Sequence, residues 1–209
     1  MDDAMRSGDQ GGPPGYKFFS HVRKPTRMLS GVTVVAVVAH PHRCPHGRCT
    51  YCPGGVELGT PQSYVRTSPA IARAISVDYS PFEQVRLRLR QYVAMGHNPS
   101  KVELIVMGGT FPSLPLDYQE WFITQAIEAL NRFPEGRPER WVSLEEALER
   151  NEKARIRCVG ITLETRPDWS KEKQVDRFLR LAATRVELGV QTVYDEILMK
   201  VDRGHTVKD

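Results

Sequence analysis

The apolar positions of this chain fall into short, nearly continuous runs. The first, Val32 to Ala39, is rich in β-branched residues, and it is followed by Val102 to Met107, Cys158 to Leu163 and Val186 to Val190. The first run is typical of a strand that is buried on both faces, as in a parallel sheet, and the other three are also predicted to be strands. The pattern therefore predicts four strands of one parallel sheet.

Amphipathic segments with helix-capping signals separate the predicted strands. Ser80 to Glu83 has the capping-box form with proline in the first helical position, and this helix is predicted to stop at Gly96. Further helices are predicted at about Asp117 to Phe133, from Ser143 to Asn151, at about Ser170 to Leu181, and from near Val193. Alternating strands and helices with right-handed crossovers predict an α/β fold of about four βα units, a partial TIM-like barrel that is incomplete at its C-terminal side.

Length and composition are those of an ordinary globular domain. The 209 residues are 40% hydrophobic and 26% charged, which excludes a wholly disordered or fibrous protein. The longest apolar run, Val34 to Ala39, is far shorter than the about 20 residues of a membrane-spanning helix. No secretion signal begins the chain and four cysteines are too few for a disulfide scaffold, so we expect a cytoplasmic protein with no membrane partner. We expect residues 1–30 to be a disordered, basic segment and residues 31–209 to be the barrel domain.

Positive charge is concentrated near the N-terminus, although the net charge is only +4. No acidic residue lies between Asp9 and Glu57, whereas six lysines and arginines do. This asymmetry favours an anionic partner such as nucleic acid or a phosphorylated cofactor. A solvated basic tail is the alternative.

The strongest chemical signal is a group of three cysteines, Cys44, Cys49 and Cys52, in the loop after the first predicted strand. In α/β barrels the loops that follow the strands form the active face. Three thiol ligands with no fourth nearby suit a [4Fe-4S] cluster that keeps one iron open for a substrate. The alternative is a zinc site completed by His40, His42 or His46. Cys158 lies in a strand pattern and is predicted to be a small buried residue, not a ligand.

Polar motifs follow each of the other three predicted strands. They are Met107-Gly108-Gly109-Thr110, Glu164-Thr165-Arg166-Pro167-Asp168 and Glu187-Leu188-Gly189-Val190-Gln191. Glycines there let a ligand approach the backbone, the Arg166 fork suits a carboxylate, and the Gln191 amide suits a ribose hydroxyl. A simple ion pair between Glu164 and Arg166 at the rim is the alternative. Because the carboxyl ends of parallel strands share one edge, these motifs are expected to meet the cysteine loop.

Taken together, these motifs resemble the radical S-adenosylmethionine (radical SAM) superfamily, and within it the tRNA-modifying Elongator catalytic subunits of archaeal or bacterial type. The resemblance covers about residues 22–209. The matching segments are Val22 to Arg27, the cysteine loop, Thr60 to Tyr64, Lys101 to Phe111, Glu164 to Asp168, Glu187 to Gln191 and Arg203 to Thr206.

The resemblance implies a set of cofactors and the residues that bind them. Cys44, Cys49 and Cys52 would hold a [4Fe-4S] cluster, whose free iron binds S-adenosylmethionine. The remaining assignments are Tyr51 against the adenine, Gly108, Gly109 and Thr110 at the methionine amino end, Glu164 and Arg166 at its polar groups, Gln191 at the ribose, and Lys101 at acetyl-CoA.

The implied reaction is 5-carboxymethylation of the wobble uridine of tRNA by a 5'-deoxyadenosyl radical, with acetyl-CoA as co-substrate. The implied partners are tRNA, an electron donor, and either a second copy of the chain or Elongator-like subunits. Two other functions remain open from the sequence. They are another radical SAM enzyme, of the porphyrin-oxidase kind, and a non-catalytic RNA-binding module stabilised by zinc.

Two departures from the family pattern bear on activity. Four residues separate Cys44 from Cys49, whereas three are usual in the superfamily. Enzymes of the family are also longer, with a complete barrel and a C-terminal acetyltransferase-like domain. The sequence therefore predicts a truncated chain whose own activity is impaired, because an open half-barrel cannot exclude water from a radical.

Overall fold

The computed structural model describes residues 29–209, so the expected disordered, basic segment lies almost entirely outside the described residues. The strands are β1 (Val32–Val38), β2 (Lys101–Met107), β3 (Arg157–Thr165) and β4 (Arg185–Leu188). The helices are α1 (Pro69–Ser76), α2 (Pro81–Ala94), α3 (Leu116–Arg132), α4 (Leu144–Asn151), α5 (Glu172–Arg180) and α6 (Asp195–Lys200).

The four strands form one parallel sheet in the order β1-β2-β3-β4. Each strand therefore pairs with the next one along the chain, as in one part of an α/β barrel. The predicted fold class is confirmed: an α/β architecture with a partial barrel. Because all strands run the same way, the loops after them lie at one edge, here called the carboxyl rim.

One apolar core joins the sheet to the helices α2, α3 and α4. Val35, Phe82, Leu104 and Phe122 are all fully buried in it. The predicted capping boxes are present, since the Ser80 hydroxyl accepts a hydrogen bond from the Glu83 backbone N–H and Ser143 does the same for Glu146. These caps satisfy backbone donors that the first turn of a helix leaves free.

Side chains from α1 and α2 cap the outer edge of β1. The Gln84 amide accepts from the Val38 N–H at 2.8 Å and donates to the Val38 carbonyl at 2.9 Å. The Tyr92 hydroxyl donates to the Val34 carbonyl, and Arg73 donates to the Ala36 carbonyl. These bonds occupy polar backbone groups that would otherwise be open to another strand.

Two elements differ from the sequence-based expectation. Helix α1 was not predicted, because it is short and follows directly on the glycine- and proline-rich loop. The fourth strand was expected from Val186 to Val190, but β4 spans Arg185–Leu188, and all four of its residues are exposed. It lies at the edge of the sheet with only β3 beside it, so its apolar residues lack the cover that makes a strand buried.

No helix among residues 29–209 is long and apolar enough to cross a bilayer.

Candidate functional site

The cysteine loop leaves the end of β1 and is held in place by Gln62. The Cys44 backbone N–H donates to the Gln62 side-chain oxygen, and the Gln62 amide donates to the Gly47 carbonyl at 3.0 Å. A third bond, from the Thr50 N–H to the Val201 carbonyl at 3.1 Å, ties the loop to the chain that follows α6. The loop is therefore fixed from two sides, although it has almost no regular secondary structure.

The three predicted cysteine ligands are free thiols, and all three are buried. Each sulfur accepts a hydrogen bond from a donor on a different segment. The Thr110 hydroxyl lies 3.4 Å from the Cys44 sulfur, and the Ser63 N–H lies 3.1 Å from the Cys52 sulfur.

Two nitrogen-bearing side chains approach the third sulfur. The Cys49 sulfur lies 3.2 Å from His46 Nε2 and 3.6 Å from Arg203 Nη1. Burial, together with the nearby Arg166 guanidinium, lowers the pKa of His46 to about 4, so its imidazole is neutral at pH 7. Burial also raises the pKa of the Cys44 thiol, so a metal that binds there must displace its proton.

Glycines allow the backbone to pack closely around the loop. A Cβ on Gly54 would lie 2.1 Å from the Tyr64 carbonyl oxygen. Gly109 has φ +77°, and a Cβ there would lie 3.6 Å from the Cys44 sulfur. Larger residues at these two positions would therefore disturb the surroundings of the sulfurs.

A cavity of about 390 Å³ opens at the carboxyl rim beside Cys44. Besides Cys44, four residues predicted from the sequence line it: Gly109, Glu164, Arg166 and Gln191. They come from the end of β3 and from the loops after β2, β3 and β4, so the structure brings together residues that are far apart in the sequence. A volume of this size is within the range of small-molecule sites.

Glu164 forms a partly buried hydrogen-bonded pair with Tyr64 in this cavity. The Tyr64 hydroxyl donates to a carboxylate oxygen of Glu164. Burial raises the pKa of both groups, and the Glu187 carboxylate adds to the effect on each. The sequence-based alternative, a simple ion pair between Glu164 and Arg166, is not what the structure shows, because none of the Arg166 hydrogen bonds reaches Glu164.

The Arg166 guanidinium is already occupied by protein groups. It makes a two-point ion pair with Asp168 at 2.9 and 3.0 Å and donates to the Arg203 carbonyl at 2.7 Å. A further contact of 3.1 Å joins it to His46. The fork that was predicted to hold a ligand carboxylate therefore braces the cysteine loop and the chain after α6.

The remaining predicted residues lie in different places. Gly108 packs against Ala39, and Thr110 is buried with its hydroxyl on Cys44. Tyr51 is half exposed, and it does not line the cavity at the rim. Lys101 begins β2 and so lies at the opposite end of the sheet.

A second cavity, of about 550 Å³, lies at that opposite end. Lys101 and Arg157 line it, and so does Cys158. Cys158 is half-buried and far from the other three cysteines along the sheet, and burial raises its pKa to about 11. The prediction was a small buried residue, whereas the side chain is only partly buried and lines this cavity.

Three residues of the site were not predicted individually: Gln62, Tyr64 and Arg203. Each lies in a segment that carries the family resemblance, Thr60 to Tyr64 or Arg203 to Thr206. Their roles depend on contacts across long stretches of chain, which spacing alone does not reveal.

Comparison with known proteins identifies the class. The pattern of the radical SAM superfamily matches residues 38–209. This chain therefore belongs to the radical SAM superfamily. Membership in this superfamily implies S-adenosylmethionine and a [4Fe-4S] cluster as cofactors.

Within the superfamily the chain is similar to one group of proteins. It is 48% identical over 190 residues to the tRNA uridine(34) acetyltransferase of Methanocaldococcus jannaschii, and this alignment covers 90% of this chain and 34% of that protein. It is 45% identical over 193 residues to Elongator complex protein 3 of Schizosaccharomyces pombe, covering 88% and 34%. The solved structure of Methanocaldococcus infernus Elp3 with an N-terminal deletion aligns with a TM-score of 0.63 and 40% identity, covering 85% of this chain and 33% of that one. The chain thus spans about a third of the length of these relatives.

The donor set fits an iron–sulfur cluster. Three buried thiols lie close enough for the charges of Cys49 and Cys52 to affect the pKa of Cys44, and hydrogen-bond donors reach each sulfur. Hydrogen bonds to sulfur are among the features that tune such clusters. Among residues 29–209, no three His, Cys, Asp or Glu side chains are placed to hold a single metal ion.

Proposed function

We propose that this chain is the radical-generating part of an enzyme that modifies the wobble uridine of tRNA, by 5-carboxymethylation with acetyl-CoA as co-substrate. The observation that carries the proposal is the meeting of three buried cysteines with the cavity of Glu164 and Gln191 at one rim. The relatives named tRNA uridine(34) acetyltransferase and Elongator complex protein 3 support the choice of substrate.

We assign the cluster to Cys44, Cys49 and Cys52, with S-adenosylmethionine in the cavity beside them. When bound, the cluster would pass one electron to S-adenosylmethionine, which would thereby supply a 5'-deoxyadenosyl radical and leave methionine. Glu164 and Gln191 present polar atoms to the cavity and would orient the cofactor there. Thr110 and Arg166 would act differently from the family assignment, by holding the sulfur of Cys44 and the loop itself, because their polar atoms already have these partners.

The acetyl-CoA and tRNA parts of the proposal rest on the relatives. Lys101 and Arg157 offer two cations at the second cavity, which suits the phosphates of acetyl-CoA, but this cavity is at the end of the sheet away from the cysteines. We further propose a cytoplasmic enzyme that takes its electron from a separate donor and works as a dimer or with Elongator-like subunits.

Anaerobic reconstitution of the 209-residue chain with iron and sulfide tests the proposal. We expect about four irons per chain and, with S-adenosylmethionine and dithionite, formation of 5'-deoxyadenosine. Cys49→Ala is expected to lose both, whereas Cys158→Ala, which removes a thiol at the other end of the sheet, keeps both. A colourless protein that binds stoichiometric zinc would overturn the proposal in favour of a zinc-stabilised module.

Transfer RNA binding is measured separately, by filter binding across a salt series. A polyanion binder loses affinity steeply as salt rises, because binding releases counterions. If the chain does not bind tRNA, or if its affinity for tRNA does not change with salt, the tRNA part of the proposal is wrong and the radical enzyme has a different substrate.

A further inference from the structure

The segment Arg203 to His205 carries the family resemblance but has no assigned role, and the structure places it directly on the cysteine loop. Arg203 is 6% exposed, and each nitrogen of its guanidinium has a partner. Nη1 lies 3.6 Å from the Cys49 sulfur, Nη2 donates to the Gly189 carbonyl at 2.6 Å, and Nε lies 3.2 Å from His205 Nε2. The side chain therefore bridges the cysteine loop and the rim of β4.

Backbone contacts of the same segment add to this bridge. The Arg203 carbonyl accepts a hydrogen bond from the Arg166 guanidinium at 2.7 Å. Gly204 has φ +75°, and a Cβ there would lie 2.5 Å from the Cβ of His46. The Thr50 N–H bonds to the Val201 carbonyl just before this segment, so three of the four residues 201–204 contact the loop or Arg166.

Arg203 lacks the carboxylate that a buried arginine normally has. Arg166, which is equally buried, has Asp168 as its counter-charge. None of the ion pairs formed within residues 29–209 includes Arg203. A guanidinium remains charged in proteins, and burying an unpaired charge is costly. Two ionisable side chains contact the guanidinium: His205, which supplies no negative charge, and Cys49, whose ligand form is a thiolate.

We propose that Arg203 is a positioning residue that balances the charge of the Cys49 thiolate and raises the reduction potential of the cluster. This inference rests on the proposed function, since it needs a cluster on the three cysteines. A positive charge at one ligand stabilises the reduced cluster more than the oxidised one, because reduction adds one negative charge. In the assay, dithionite donates a single electron that takes the cluster from the 2+ to the 1+ level.

The test is a redox titration of the reconstituted 209-residue chain, followed by electron paramagnetic resonance, for the wild type, Arg203→Gln and Arg203→Lys. We expect Arg203→Gln to lower the equilibrium constant for reduction about tenfold, which is about 59 mV for a one-electron couple. Arg203→Lys keeps the charge and is expected to restore most of the potential. Arg43→Gln is the matched control. It removes a positive charge from the same loop, but this charge is exposed and screened by solvent, so the potential should stay close to that of the wild type.

Iron content and circular dichroism are recorded for each variant, so that loss of fold is separated from loss of charge. If Arg203→Gln loses iron while Arg203→Lys retains it, the charge assignment is supported. If both variants have the wild-type potential, or both are folded and equally unable to hold iron, the assignment is overturned. A wild-type chain that takes up no iron would instead defeat the proposed function.

Discussion

At the scale of single residues, the site depends on contacts between residues that are far apart in the sequence. Gly204 is required by a contact with His46, from the other end of the described chain. Glu164 is buried beside Tyr64 in the rim cavity, where a surface glutamate would be fully solvated. Each case gives a specific expectation.

Gly204→Ala is expected to lower the free energy of unfolding by about 3 kcal/mol, through a left-handed backbone penalty of about 1–2 kcal/mol and overpacking against His46. Gly96→Ala is the control, because Gly96 also has a positive φ, +82°, but nothing lies within 4 Å of its added Cβ. Urea denaturation of both variants measures the difference. Equal losses would show that the contact with His46 adds nothing to the backbone penalty.

Glu164→Gln is expected to change how stability depends on pH. Burial raises the pKa of Glu164 in the folded protein, so the folded chain keeps this proton after the unfolded chain has released it. The wild type therefore loses stability as pH rises from about 4.3, the ordinary value for glutamate, through the raised pKa. Glu164→Gln lacks this loss, so its stability relative to the wild type should grow with pH.

Thermal melts between pH 4 and pH 8 check this expectation. Glu145→Gln on the exposed start of α4 is the matched control, and its curve should run parallel to that of the wild type. Parallel curves for Glu164→Gln as well would mean that burial does not hold the proton on this carboxyl group.

At the scale of elements, the two edges of the sheet differ. The outer backbone groups of β1 are bonded by Gln84, Tyr92 and Arg73, whereas β4 is short and exposed along its whole length. The bonds of Gln84 come just before the cysteine loop, at Val38. The capped edge is thus also the one from which the cysteine loop starts.

Gln84→Leu is expected to destabilise the fold by about 1–3 kcal/mol, because it leaves the Val38 N–H and carbonyl buried without a partner. Gln91→Leu, at an exposed position of the same helix, is the control and should change stability by less than about 0.5 kcal/mol. Chemical denaturation of the two variants makes the comparison. A loss for Gln84→Leu no greater than that for Gln91→Leu would contradict the capping role.

At the scale of the whole molecule, apolar surface is concentrated on the side of α5, β4 and α6. Leu179 is 66% exposed and Met199 is 70% exposed, and Val186, Val193 and Ile197 lie in the same part of the chain. Exposed apolar side chains that form a contiguous patch tend to bind other apolar surfaces.

The double variant Leu179→Gln with Met199→Gln is expected to bind less of an apolar dye and to self-associate only at higher concentration. Its free energy of unfolding should stay within about 0.5 kcal/mol of the wild type, since both side chains are exposed. Dye fluorescence and light scattering measure the two effects. Trp121→Gln, which removes an exposed apolar side chain from α3, is the control. If it lowers dye binding and self-association as much as the double variant does, the side of α5, β4 and α6 is not special.

The local sequence was enough to predict the fold class, the cysteine loop and the order of the elements other than α1. Helix caps at Ser80 and Ser143 and β-branched runs act over a few residues, so their outcome is visible in the sequence itself. The parallel sheet also implied that motifs after different strands would meet at one rim. The residue types of Glu164 and Gln191 indicated polar groups at that rim, and the structure shows that they line a cavity there.

Only the tertiary structure decided which partner each polar group has. It assigned Arg166 to Asp168, Thr110 to Cys44 and Arg203 to Cys49, and it placed Lys101 at the far end of the sheet. It also left β4 exposed, although its sequence resembles that of a buried strand. These outcomes depend on which segments pack together and on what covers an edge, and such long-range contacts leave no periodic trace in the sequence.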